Sequence, residues 1–169
     1  ASKIATTTAG AVSIKTIPPA THIKTPEPLK AVYMTACVAG TPSWRLRLAE
    51  LVKTTELNSL IIDIKDYSGT ISFTGEHPII KDHKGTGCRT NSMREFIETL
   101  HRDNIYVIGR ITVFQDPYYT KLHPELAVKK LSDGTVWKDY KGLSFIDVGA
   151  RDFWEYITTL SKESYAIGF

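Results

Sequence analysis

The stretch Leu60-Ile61-Ile62-Asp63-Ile64-Lys65-Asp66-Tyr67-Ser68-Gly69 constrains the fold more than any other. It opens as an apolar, β-branched run, the pattern of a strand buried on both faces of a parallel sheet. Charges then alternate with isoleucine, which puts Asp63, Lys65 and Asp66 where the strand runs out, and Tyr67-Ser68-Gly69 begins a loop. Unpaired charges are costly to bury, and the C-terminal mouth of a parallel strand is where α/β sheets and barrels bind ligands. The stretch reads as one wall of a cleft.

The segments around it repeat one unit. Ala31-Val32-Tyr33-Met34-Thr35-Ala36 is a short strand. Thr41 and Pro42 then supply a helix cap and a first-turn proline, which predicts a helix from Pro42 to Leu57 with Trp44, Leu48, Leu51, Val52 and Thr55 facing inward. Beyond Gly69 lies a long loop, Thr70 to Arg89, with a short strand at Ile71-Ser72-Phe73. Loops of that length in a domain are usually functional. Ser92 and Glu95 have capping-box spacing, and Met93, Phe96, Ile97 and Leu100 follow at helical intervals up to Asn104. A third strand spans Ile105 to Val113. A second excursion holds a short helix at Pro124–Val128 and an Asp133-Gly134 hairpin signal. A third helix, Ala150 to Ser164, turns Phe153, Trp154, Ile157 and Leu160 to one side, and Ala166 to Phe169 reads as the approach to a fourth strand.

Strand and helix thus alternate three times, which predicts an α/β fold of parallel strands joined by right-handed crossovers. A complete (β/α)8 barrel takes about 250 residues. Three units in 169 residues therefore point to the first part of a barrel, with a complete small α/β sheet as the alternative. Free strand edges in a partial barrel invite self-association.

Residues 1–30 are rich in Thr, Ala and Pro without apolar periodicity and read as an extended linker, leaving 31–169 as the folded domain. Leaders of this composition often separate an anchor or secretion signal from an extracytoplasmic domain. The net charge of +3 sits in that leader, because its four lysines against Glu27 leave 17 basic and 17 acidic residues in the remainder. A balanced domain has no electrostatic footprint for nucleic acid. No apolar run reaches the roughly 20 residues of a membrane span, and no signal peptide is evident. Cys37 and Cys88 read as separate buried or loop cysteines, with a single disulfide as the alternative. His77, His83 and Cys88 lack metal-ligand spacing, the Lys84-Gly85-Thr86-Gly87 loop lacks a feeding strand, and no Gly-x-Ser-x-Gly elbow occurs. No cofactor or metal is expected.

Four stretches carry a resemblance: Lys30-Ala31-Val32-Tyr33-Met34-Thr35, Asn58 to Asp66, Ile108 to Pro117, and Phe145-Ile146-Asp147-Val148-Gly149. In order and content the run from Ala31 to Phe169 resembles the bacterial "putative glycoside hydrolase" domain family, a (β/α)8 barrel distantly related to α-amylase-type glycosidases. The resemblance implies a carbohydrate substrate. It also implies a nucleophile and an acid/base carboxylate on strands four and five, beyond Phe169.

Glycoside cleavage needs two carboxyls about 5–10 Å apart and groups that hold the sugar. Asp63, Lys65, Asp66 and Arg110 are assigned to substrate positioning or to tuning nearby carboxylates, with Asp66 alone considered for acid/base work. The competing reading is an ion pair of Asp63 or Asp66 with Arg110 that closes the sheet mouth. Tyr33 and Trp137 are the favoured stacking platforms, with Tyr67, Phe114 and Tyr140 behind them. Gln115 and Asp116 follow the third strand and either reach the cleft or form a turn, and Asp147 is expected to cap the last helix. The resulting reading is a carbohydrate-active domain supplying part of a substrate cleft. The alternatives are a non-catalytic carbohydrate- or cell-wall-binding module and a small α/β domain with a structural role.

Overall fold

Three parallel strands, β1 (Ala31–Met34), β2 (Ser59–Lys65) and β3 (Tyr106–Ile111), lie side by side in the order β1-β2-β3. The computed structural model describes residues 18–169. Two major helices make the crossovers, α2 (Pro42–Thr54) between β1 and β2 and α4 (Met93–Arg102) between β2 and β3. Because each right-handed crossover moves the chain one strand further in the same direction, both helices fall on one face of the sheet. Val32, Met34, Leu60, Ile62, Ile64 and Val107 project toward them and join Val52, Phe96, Ile97 and Leu100 in the core. Each fully buried side chain of this kind contributes about 1.5–3 kcal/mol.

The linker reading of 1–30 lies outside the described residues as far as residue 17. Residues 18–30 contain no helix or strand but are tied to the domain. His101 Nδ1 contacts Thr21 O at 2.7 Å, and Asn58 holds Pro28 O and Lys30 N, each at 2.9 Å.

α4 matches its predicted stripe, since Met93, Phe96, Ile97 and Leu100 are all buried. The capping box does not form, because Ser92 Oγ accepts from Arg45 Nη1 at 3.0 Å instead of bonding the helix end. α2 is shorter than predicted and rotated. Ala49 and Val52 face the core, whereas Trp44 (61% exposed) and Leu51 lie open on the outer flank. Arg45 fills the inner position, its guanidinium 4.9 Å from the Phe96 ring, and that sets the helix's orientation.

Three short helices escape prediction. α1 (Ala36–Gly40) follows β1 and is capped by Thr35, whose Oγ1 accepts from Val38 N at 3.3 Å. α3 (Pro78–Lys81) sits in the long loop, and α5 (Pro117–Leu122) follows β3 under an Asp116 cap. The Pro124 region is a single 3-10 turn, Pro124–Leu126. The hairpin at Gly134 forms, with Lys130 N bonded to Thr135 O at 2.8 Å and Gly134 at φ +69°.

The last helix, α6 (Arg151–Ala166), buries Phe153 and Leu160 but leaves Trp154 half exposed, its Nε1 donating to Val148 O at 2.9 Å. Asp147 does not cap it, because its carboxylate closes a turn onto Gly149 N at 2.7 Å. The expected approach to a strand after Ala166 is a helix-ending turn. Phe169 N bonds Ser164 O and Gly168 N bonds Tyr165 O, with Gly168 at φ +114°, a conformation that suits only glycine.

Candidate functional site

The C-terminal ends of the strands open into a cleft of about 480 Å³, within the range of small-molecule sites. Its floor is built by register. Asp63 on β2 pairs with Arg110 on β3, and Tyr33 on β1 lies in the neighbouring row opposite Ile61. Tyr33 Oη donates to Asp63 Oδ2 at 2.5 Å, and Arg110 Nη1 donates to Asp63 Oδ1 at 2.8 Å and to Tyr33 Oη at 3.4 Å. The Arg110 guanidinium also lies 5.6 Å from the Tyr33 ring centroid. Both oxygens of the buried Asp63 carboxylate are therefore taken by neighbours that are themselves open to the cleft.

Electrostatics follow from that triad. Desolvation of the hydroxyl, and then its bond to Asp63, push the Tyr33 phenol up to about 12, so it acts as a hydrogen-bond donor near neutrality. The bond to Asp63 raises the Arg110 pKa, holding the guanidinium charged. Arg110 keeps about half its side chain in solvent, leaving part of its donor fork for a ligand.

The second wall is the turn after β2. Asp66 Oδ1 accepts from Ser68 N at 2.9 Å and Ser68 Oγ at 2.6 Å, and Gly69 N closes the turn on Asp66 O at 3.1 Å. Gly69 sits at φ +86°, and a Cβ there would lie 2.0 Å from Asp116 Oδ1. Asp66 Oδ2 has no hydrogen bond among the described residues and is the one free carboxylate oxygen of the cleft. Tyr67, 60% exposed, presents its ring from the same turn.

The far wall is a disulfide. Cys37 on α1 is bonded to Cys88 in the long loop, which brings Thr86 and Gly87 to the cleft edge. This corrects the expectation of two separate thiols. A sequence separation of 51 gives no hint that α1 and the loop meet over the sheet mouth.

Residues 31–169 match the family model described as "Putative glycosyl hydrolase domain". The chain belongs to this family. It is also similar to a solved structure described as a hypothetical protein from Ruminiclostridium thermocellum ATCC 27405, at 31% identity and a TM-score of 0.75, over 82% of this chain and 72% of that one. None of the curated proteins matches.

Within the matched domain, the cleft gathers Tyr33, Asp63, Asp66 and Arg110 from the predicted set, together with Tyr67. It does not gather Lys65, Gln115, Asp116 or Trp137. Lys65 and Asp116 have no exposed side-chain surface and form an ion pair, Nζ to Oδ2 at 3.0 Å, beneath the mouth. Strict alternation would place Lys65 on the face of Asp63. A bulge between them instead sets Lys65 opposite Ile111, re-aiming it into the protein. Burial pushes the Lys65 pKa down, and Asp116 opposes that shift. Asp116 also caps α5, accepting from Tyr119 N at 2.7 Å. Gln115 donates to Tyr67 O at 3.2 Å and thereby steadies the turn, and Trp137 packs on Phe145 with centroids 5.6 Å apart. Thr35 and Ser68 line the cleft without having been singled out. Ser68 was signalled only by its place in the Asp66–Gly69 turn.

Proposed function

We propose that the cleft of Tyr33, Asp63, Asp66, Tyr67 and Arg110 is a sugar-binding wall of a carbohydrate-active domain, and that the three βα units are the first part of a (β/α)8 barrel. The observation that carries the reading is the location and preorganisation of the triad. A tyrosine hydroxyl and a guanidinium are fixed on one carboxylate at the C-terminal mouth of parallel strands, where barrel enzymes place their sites. The sheet order β1-β2-β3, each parallel strand added next to the one before it, is the order in which consecutive barrel strands lie.

The triad is suited to holding hydroxyls rather than to breaking a glycosidic bond. Cleavage calls for two carboxyls of separate roles. Asp63 is occupied on both oxygens, so Asp66 is the only group in the cleft with a carboxylate oxygen to offer a substrate. In this reading Asp66 Oδ2 accepts from a sugar hydroxyl, Tyr67 stacks on a sugar face, and the acid and base of hydrolysis come from elsewhere in the domain. The occupied Asp63 favours, as a second reading, a module that binds glycan without cleaving it.

Tyr67→Ala is the direct test, since the ring is exposed and its side chain makes no hydrogen bond among the described residues. Oligosaccharide binding measured by calorimetry should weaken about tenfold, about 1.4 kcal/mol, while the melting temperature stays within about 2 °C. Unchanged binding in Tyr67→Ala would remove the sugar cleft. Glycan turnover that survives in the wild type but is lost in Asp66→Asn would favour the enzyme over the binding module.

A further inference from the structure

The cleft does not end at its own walls. A second groove of about 420 Å³ lies between the Lys84–Thr86 loop and α5 and shares Ser68 and Thr86 with the cleft. A third, about 330 Å³, runs between α5 and the Val136–Ser144 segment and shares Pro117 and Lys121 with the second. Shared lining sets the three side by side in one row, with Pro117 and Lys121 as the rim a bound chain would cross between the second and the third. Its walls are fixed, because Lys84 N donates to Tyr118 Oη at 2.9 Å, joining the loop to α5, and Thr120 Oγ1 meets Ser144 Oγ at 2.5 Å, joining α5 to the Val136–Ser144 segment.

Charge is distributed unevenly along that row. The lining carboxylates, Asp63 and Asp66, lie in the first cleft. The second and third grooves add Lys84, Lys121 and Lys138 and no carboxylate among their lining residues. None of these lysines enters an ion pair among the described residues. Residues 31–169 balance 17 basic against 17 acidic side chains, so a one-signed stretch here is local and not a reflection of a basic protein.

We propose that this row takes an anionic glycan, one sugar in the Tyr33–Arg110 cleft and the acidic groups of the following units against Lys84, Lys121 and Lys138. The proposal rests on the sugar-cleft reading above and names its substrate class. Lysines on flexible stems attract negative charge without demanding one geometry, which suits carboxylate or phosphate groups spaced along a polymer. The exposed Thr86 adds a hydroxyl for the neutral parts of a unit. Nucleic acid fits less well, since the added grooves are lined by one aromatic, Tyr118, and its ring packs against His83 with centroids 4.2 Å apart.

Calorimetry on the whole chain tests this with paired probes: hexagalacturonate and its methyl ester, a phosphomannan oligosaccharide, a neutral maltohexaose, and (dT)15. At low salt, hexagalacturonate or the phosphomannan oligosaccharide should bind at least tenfold tighter than the neutral sugars, and 0.5 M NaCl should narrow the gap. Whichever acid binds tighter identifies the charged group as carboxylate or phosphate. Lys84→Gln/Lys121→Gln, both exposed positions, should remove the preference and leave neutral binding unchanged. Equal affinity for charged and neutral sugars overturns this inference and spares the sugar cleft. No binding by any glycan overturns both, and (dT)15 binding tighter than every glycan overturns it in favour of nucleic acid.

Discussion

His83 shows how the loop over the sheet mouth is held by neutral as well as charged groups. Its ring is buried, with Nε2 accepting from Ile71 N at 3.2 Å, and burial, then the nearby Arg89 and Lys65 charges, lower its pKa to about 4. In the unfolded chain the same group titrates near 6.5. Between those values the unfolded state binds more protons than the folded one, so stability falls as pH drops from about 6.5 to about 4, by up to about 1.4 kcal/mol per unit. Urea titrations at pH 7.5 and 4.5 should show that loss in the wild type. It should be much smaller in His83→Gln, whose amide oxygen can accept from Ile71 N in place of the ring. Parallel pH profiles would mean that other groups carry the effect. Lys65 is the opposite case, a charge kept buried by its partner. Removing either member leaves the other unpaired at a cost of about 3–5 kcal/mol, so a defect in Lys65→Ala reports on folding rather than on sugar contact.

At the scale of elements, the disulfide does most to shape the cleft. It closes a loop spanning a sequence separation of 51 residues, and chain entropy alone assigns it about 4 kcal/mol at 25 °C. Cys37→Ser/Cys88→Ser should lower the unfolding free energy by roughly that amount, and dithiothreitol should match the double variant in the wild type. A change under about 1 kcal/mol would indicate that the loop is already fixed by Arg89, which bonds the carbonyls of Phe73, Ile80 and His83 at 3.0 Å each. Strand and helix order was readable in advance because long elements repeat their apolar pattern many times, as in Leu60–Ile64 and Met93–Leu100. α1, α3 and α5 are too short to show a period. Their signals are single caps at Thr35, His77 and Asp116, and in the sequence these look like turns. In the site, Asp63 with Arg110 followed from strand ends, whereas Lys65 was misplaced by one bulge and the disulfide had no local signal at all.

For the whole molecule, the consequential feature is what lies uncovered. The outer edges of β1 and β3 pair with no further strand among the described residues. Beside β1, Trp44, Leu48 and Leu51 recur at helical spacing on the flank of α2 and line, with Val38 and Arg47, a surface hollow of about 580 Å³. Free backbone donors next to an apolar stripe form a surface that another strand-and-helix unit would cover, which accords with the partial-barrel reading. The chain expressed alone should therefore self-associate. Sedimentation velocity from about 5 to 200 µM should show a weight-average mass rising with concentration, and Trp44→Glu/Leu51→Lys, which change only exposed positions, should shift the curve toward monomer without lowering the melting temperature. A sharp monomer across that range would show that these edges are tolerated in solution and would favour a complete small α/β domain. Association that persists in the double variant would place the contact on the strand edges themselves.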